Sequence, residues 1–285
     1  MPNIAFVNGT WSRLSEARIS IEDRGLQFGD GVYEVIRTYG KEVFGLREHL
    51  ARLKKSADAV EIPIPYASAR LEKIIRLGCL KCRFADAVVY LQLTRGSARR
   101  NHAFPKRARP TLVITFRPAG RIPKKDRENG VSAVSLPDIR WGNCHIKSLN
   151  LLPNVMAREQ AIRSGAFEAI LVRNGEVTEG SGSNLFSVFG KKVVTSPPGS
   201  YILSGITRDI VLRVGKYEGL EMLEKTIRIQ DLYKADELFL TGTTVEVLPV
   251  VRLDDKIIGP GKPGDTTRLI HKAFLEYVHQ RRRNE

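Results

Sequence analysis

The chain has 285 residues, with 46 Lys and Arg against 31 Asp and Glu, a formal net charge of +15, and 42% hydrophobic residues. That length allows one large domain or two ordinary ones, and the composition is that of a soluble globular protein rather than a disordered or fibrous one. No stretch approaches the roughly 20 apolar residues of a membrane span, and MPNIAFVNGTWS lacks the basic-then-apolar order of a secretory signal, so neither a membrane nor secretion is expected.

In chain order, IAFVNG and TWS read as short strands joined by a turn at Asn8-Gly9. VYEVIRTY alternates and is rich in β-branched and aromatic residues, which predicts a strand, with a hairpin turn at Tyr39-Gly40-Lys41 into EVFGL. Leu46, Leu50, Leu53, Ala57 and Val60 recur at steps of three and four, which predicts an amphipathic helix. A second helix is expected over Ser68–Leu77. AVVYLQLTRG and PTLVITFRP follow as strands, joined by the basic loop SARRNHAFPKRAR. Residues 118–130, PAGRIPKKDRENG, form the best linker candidate, so domains are expected at 1–119 and 120–285.

Beyond the linker the pattern restarts with the strand VSAVSL, a lysine-bearing segment and a helix over Pro153–Ser164. Asn174-Gly175 between two alternating runs is a strong hairpin signal. ITRDIVLRVGKYEG predicts a helix with Ile206, Ile210, Val211 and Val214 inward. Two or three strands are expected in DELFLTGTTVEVLPVVRLDDKIIG, and a closing helix over Asp265–Gln280. The fold class expected from this mixture, with its many antiparallel hairpins over two lobes, is mixed α/β (α+β).

Three cysteines, Cys79, Cys82 and Cys144, are too few and odd in number for a disulfide framework and suit a reducing cytoplasm. Cys79-Leu-Lys-Cys82 has no second CxxC to complete a zinc site, so no metal is expected. The basic residues form short clusters at Arg99-Arg100, Lys124-Lys125 and Arg281-Arg282-Arg283 rather than one stripe, the last reading as a solvated tail. A basic nucleic-acid-binding protein without catalysis is therefore only a distant alternative, and no nucleic-acid partner is expected.

Four features carry chemistry. Lys147 sits in HIKSLNLLPNVMAREQA, where Leu149, Leu151, Leu152, Val155 and Met156 are expected to form an apolar wall. An amine against such a wall either snorkels its ammonium to the surface or loses solvation, favours its neutral form and becomes a nucleophile. TEGSGSNLF (178–186) is a small-residue loop that lets backbone approach a ligand. LSGITRD (203–209) reads as a helix start, capped by Ser204 or Thr207, whose N–H groups suit a phosphate. LTGTTVEV (240–247) interrupts a strand with hydroxyls and backbone donors. Three candidate anion sites and one reactive lysine point to a phosphorylated carbonyl cofactor bound as a Schiff base.

Seven motifs occur in order across nearly the whole chain: FGDGVYE, HLARL, RGSARRNH, IKSLN, VTEGSGSN, LSGITRD and GTTVEV. On these the chain resembles the fold-type IV pyridoxal-phosphate aminotransferases, and among them most the D-amino-acid (D-alanine) aminotransferases. The resemblance implies a two-domain architecture with pyridoxal 5'-phosphate at the interface between the domains, and a homodimer. It implies that Lys147 forms the Schiff base and moves the substrate proton, and that Glu179 faces the pyridine nitrogen. Arg52, Ile206, Thr207, Thr243 and Thr244 would hold the phosphate, and Leu203 would pack on the ring. Arg100, His102 and Tyr33 would bind the substrate carboxylate. Amino acids and 2-oxo acids are then the small-molecule partners, exchanged in ping-pong half-reactions. A branched-chain L-amino-acid aminotransferase of the same fold is the alternative. Gly182 and Gly242 depart from the serines usual at these places.

Overall fold

The structure is a computed structural model that describes residues 3–284, with the side chains of 282–284 not among those described. Of the terminal basic cluster, the side chains of Arg282 and Arg283 therefore lie outside the described residues. The chain divides into two compact units. The first comprises residues 1–120 together with Ile146–Asn150, and the second comprises Arg121–His145 and Leu151–Glu285. The five-residue return of the lysine segment to the first unit is a feature that the expected single boundary at 119/120 does not contain.

In the first unit, β1 (Ile4–Val7) and β2 (Thr10–Arg13) form a hairpin at Asn8-Gly9, both in positive φ. After the short helix α1 (Arg24–Phe28) come β3 (Gly31–Tyr39) and β4 (Glu42–Val43), and the turn between them puts Gly40 and Lys41 in positive φ. Two helices, α2 (Leu46–Ala59) and α3 (Ser68–Cys82), precede β5 (Ala87–Thr94) and β6 (Thr111–Pro118). The six strands form one antiparallel sheet in the order β2-β1-β6-β5-β3-β4. Alternation along β5 sends Val89, Leu91 and Leu93 into a core shared with Leu46, Leu50, Leu53 and Ala57 of α2 and Leu71, Ile75 and Cys79 of α3. Val60 is the C-cap residue of α2 and only packs on the rim of this core. α3 runs five residues past the expected Leu77, because Cys79 and Cys82 continue its buried face. At Gly78 a side chain is impossible without displacement, since a Cβ there would lie 2.0 Å from the buried ring of Phe116.

In the second unit, the expected linker instead contains the helix α4 (Lys124–Asn129). There follow β7 (Val131–Pro137), α5 (Leu152–Arg163), β8 (Glu168–Arg173), β9 (Glu176–Gly180), β10 (Asn184–Phe189) and β11 (Lys192–Thr195). Next are α6 (Ile206–Tyr217), β12 (Glu221–Glu224), β13 (Ile227–Arg228), α7 (Ile229–Leu232) and β14 (Glu237–Gly242). The chain closes with β15 (Glu246–Leu253), β16 (Lys256–Ile257) and α8 (Asp265–Asn284), the last four residues longer than expected. One mixed sheet runs β12-β11-β10-β14-β15-β7-β8-β9-β13, with β16 on β15. The β7–β8, β15–β7 and β11–β12 pairs are parallel, and the remaining pairs are antiparallel. Asn174 and Gly175 take positive φ in the β8–β9 turn, as the dipeptide predicts. α6 buries Ile206, Ile210, Val211 and Val214 as its periodicity requires. Its N-cap is Gly205, not Ser204 or Thr207. Glycine stands there because a Cβ would lie 2.1 Å from Asn184 Oδ1.

Candidate active site

The lysine segment behaves as a short edge strand on β3. Tyr33 N donates to Lys147 O at 2.9 Å, Leu149 N donates to Gly31 O at 2.9 Å, and Val32 bridges Ser148. From α2, Ser56 Oγ accepts from Lys147 N at 3.1 Å. The backbone on both sides of Lys147 is thus fixed, and its side chain crosses the ring of Tyr33. Nζ lies 4.5 Å from the ring centroid and 3.4 Å from the phenol oxygen. Tyr33 in turn packs on Tyr90, ring centroids 5.8 Å apart, and burial together with Tyr33 pushes the Tyr90 phenol up to about 12.

The expected apolar wall is different from the observed setting. Leu152, Val155 and Met156 are exposed, and Leu149 and Leu151 are half-buried. The physical reason is that Lys147 follows the edge of β3, whereas α5 turns these side chains away from the second unit's core. The buried neighbours on the lysine's side are polar. Glu34 follows Tyr33 on β3 and points into the core between His49 and Arg52 of α2. Arg52 Nε and Nη2 donate to the two carboxylate oxygens at 2.8 Å each, and His49 Nδ1 lies 2.8 Å from Oε2. Burial raises the Glu34 carboxyl, but the hydrogen bonds and charge of Arg52, then His49, outweigh it and leave it at about 2. Burial holds the His49 imidazole below its ordinary value. Glu34 pulls it up, and the charges of Arg52 and Lys147 push it down again. A neutral His49 facing a carboxylate donates through Nδ1.

The second unit holds Glu179, Leu203, Ile206, Thr207, Thr243 and Thr244 of the predicted residues. Glu179 near the end of β9 is buried. Its Oε1 accepts from Arg140 Nη1 at 2.5 Å, and its Oε2 accepts from Asn184 Nδ2 at 2.9 Å and Leu203 N at 3.1 Å. Three N–H donors on one buried carboxylate are the arrangement that holds it charged and aimed. Arg140 is itself clamped by Asp138, at 3.0 Å and 2.9 Å, and by the carbonyl of Tyr201 at 2.8 Å. Burial raises Asp138, but the hydrogen bonds and charge of Arg140 outweigh it and hold the carboxyl below its ordinary value. Asn184 Nδ2 also donates to Leu203 O at 2.9 Å, so it ties β9 to the segment that enters α6. Ile206 and Thr207, both buried, are the first two residues of that helix.

Thr243 and Thr244 lie in the turn between β14 and β15, Thr243 half-buried and Thr244 exposed. Asn184 is opposite Thr241 in the β10–β14 register, which brings this turn beside the GSGSN loop. A Cβ on Gly242 would be 3.7 Å from the carbonyl of Gly182. The three small-residue segments singled out in the sequence therefore meet in one place, where helix N–H groups, hydroxyls and open backbone suit a phosphate. Among the described residues the Thr241 hydroxyl there is buried without a hydrogen-bond partner. This donor set fits the phosphate of pyridoxal 5'-phosphate.

Arg100 and His102 stand elsewhere in the first unit, on the exposed loop after β5, and both meet Phe28 of α1. The Arg100 guanidinium is 4.9 Å from the Phe28 centroid, and the His102 ring is 5.4 Å away. Sequence reasoning missed Glu34, His49, Asp138, Arg140 and Asn184. Glu34 had a signal, an acid on the apolar face of an alternating strand, and so did His49, on the helix face of Leu46, Leu50 and Leu53. Asp138 and Arg140 follow a strand and had none. No group of three His, Cys, Asp or Glu that could hold a metal ion occurs among the described residues.

The class IV amino-transferase family pattern matches residues 31–253 of the chain. A D-alanine aminotransferase of Bacillus licheniformis is 44% identical over 271 residues, covering 95% of each chain. Among solved structures, the branched-chain amino acid aminotransferase of Escherichia coli superposes with a TM-score of 0.91 at 28% identity, covering 98% of this chain and 95% of that one. The T.th. branched-chain amino acid aminotransferase complexed with N-(5'-phosphopyridoxyl)-L-glutamate gives 0.89 at 28% identity, covering 98% and 94%.

Proposed function

The chain belongs to the class IV aminotransferases, enzymes that use pyridoxal 5'-phosphate, and from that premise we propose that it transfers the amino group of a D-amino acid such as D-alanine to a 2-oxo acid such as 2-oxoglutarate. The observation that carries the reading is Lys147, locked by its backbone to β3 with its amine at the Tyr33 hydroxyl.

When bound, pyridoxal 5'-phosphate supplies an electron sink that makes the substrate's Cα–H acidic. The chain's own residues do the rest. Lys147 would hold the cofactor through its amine, and the same amine would take and return the substrate's Cα proton. Tyr33 limits where that amine can move. Glu179 would face the ring nitrogen and keep it protonated, and Arg140, Asn184 and the Leu203 amide keep its carboxylate aimed. Leu203 would pack on the ring. Arg52, the start of α6 at Ile206 and Thr207, and Thr243 and Thr244 would hold the phosphate, with Glu34 fixing the Arg52 fork. Arg100, His102 and Tyr33 take the substrate carboxylate, for which an Arg fork is the best donor set.

The domains act as 1–119, smaller, and 120–285, larger, with the lysine segment built into the first. We read the enzyme as a homodimer. The exposed apolar side chains Leu152, Val155, Met156 and Ile162 of α5 support this. The three cysteines, buried and free, suit a reducing cytoplasm, and no described helix is long and apolar enough to cross a membrane.

A branched-chain L-amino-acid transaminase is the second reading, favoured by the likeness to solved enzymes of that name. A single-turnover experiment separates the two. D-alanine and L-leucine are added separately to the purified holoenzyme without an acceptor, and the cofactor absorbance is followed. Loss of the band with D-alanine alone is expected, and loss with L-leucine alone would replace the D-specific reading.

A further inference from the structure

Arg24 is the first residue of α1, and only 3% of it is exposed. The helix does not need it. Asp23 caps the start by accepting from Gly25 N at 2.8 Å, and Gly29 ends the helix in positive φ. Instead the guanidinium reaches across to the loop after β5. Nη1 donates to Asn101 O at 2.5 Å and to Ala103 O at 3.4 Å, and Nη2 donates to His102 O at 3.4 Å. Its Nε donates to Asp30 Oδ2 at 2.7 Å. The same oxygen accepts from Arg95 Nε at 2.8 Å. Arg95 is fixed by the carbonyls of Val60 and Glu61, and its guanidinium lies 3.5 Å from the centroid of Phe104. One carboxylate thus joins two buried arginines, and these hold the same loop at its carbonyls and at the Phe104 ring.

We propose that Arg24, Asp30 and Arg95 are positioning residues for substrate carboxylate binding, setting the backbone of residues 101–104 so that Arg100 and His102 are preordered. The inference rests on the transaminase reading above, in which those two side chains meet the substrate. Without anchors, an irregular exposed loop samples many conformations, and each binding event must order it. Charge-assisted bonds to three successive carbonyls remove that freedom in advance. Phe28 completes the support. The Arg24 guanidinium lies 4.8 Å from its centroid, and Arg100 and His102 rest on the same ring. The arrangement acts on binding rather than on proton transfer, because its bonds go to the loop and not to the Lys147 amine.

The test uses holoenzyme of wild type, Arg24→Ala, Arg24→Lys and Phe104→Ala, with D-alanine as donor and propionate as a carboxylate competitor that cannot react. Arg24→Ala is expected to raise both the KM for D-alanine and the inhibition constant of propionate about tenfold, with kcat changed less than about threefold. The cofactor absorbance should be unchanged. Arg24→Lys, which keeps the charge at Asp30 but not the fork, should fall between. Phe104 is exposed, so its removal leaves the core intact, and a KM rise of about threefold or more is expected. If Arg24→Ala fails to fold, Phe104→Ala decides alone. Folded variants with wild-type KM and inhibition constant, or with a lowered kcat at constant KM, would overturn the proposal. A wild type that does not lose its cofactor band with D-alanine would instead overturn the transaminase reading beneath it.

Discussion

Replacing Glu34 by glutamine tests the buried cluster under the lysine directly. The carboxylate is fully buried and accepts two hydrogen bonds from Arg52 and one from His49. Its carboxyl is lowered from 4.5 to about 2. At ~1.4 kcal/mol per pH unit, the charged form contributes about 3 kcal/mol of stability at neutral pH. Because the folded value lies below the unfolded one, the contribution is complete above pH 4.5 and is lost as the pH falls towards 2. Glu34→Gln keeps the shape but leaves Arg52 facing a neutral amide, as wild-type Arg52 faces a neutral carboxylic acid once Glu34 is protonated. The variant should therefore be less stable by about 3 kcal/mol at pH 7, and the gap should narrow steadily below pH 4.5. Urea unfolding of both proteins at a series of pH values measures this. A gap that stays constant between pH 7 and pH 3 would refute the assignment of Glu34 as the charged centre of the cluster.

Lys147→Ala should abolish repeated turnover and shift the cofactor absorbance, read by spectrophotometry and a coupled transamination assay. Variants that support many turnovers would remove Lys147 from its role. Arg140→Leu leaves Asp138 and Glu179 buried without their shared cation, so a loss of about 3–5 kcal/mol and weaker cofactor retention are expected from calorimetry and gel filtration. Gly78→Ala drives a methyl group into Phe116 and should cost about 1–3 kcal/mol, seen as a lower melting temperature with the cofactor absorbance unchanged.

Much of this protein follows from local rules. The turns at Asn8-Gly9, Gly40-Lys41 and Asn174-Gly175 were legible because Asn and Gly tolerate the positive φ that such turns require. The inward faces of α2 and α6 were legible because helical periodicity is a property of spacing alone. The ends of α3 and α8 were not, since helix termini depend on what the last turn packs against. Lys147 and the three small-residue segments stood out because lysine in an apolar run and glycine-serine loops are unusual in composition, whereas Glu179 was singled out only by the family resemblance.

What surrounds them was decided by tertiary structure. Leu152, Val155 and Met156 look like core in the sequence yet lie exposed on α5, while Glu34 and His49, polar by type, sit in the interior. The burial of a side chain is set by the element packed against it, and that element is distant in sequence. Arg24 meets residues 101–103, Arg140 meets Glu179, and Asn184 meets Leu203. The sequence by itself determines which residues can carry charge, turn the chain or bond a carbonyl. Only long-range folding decides which of them share a hydrogen bond, because a buried charge is stable only where the fold brings its partner.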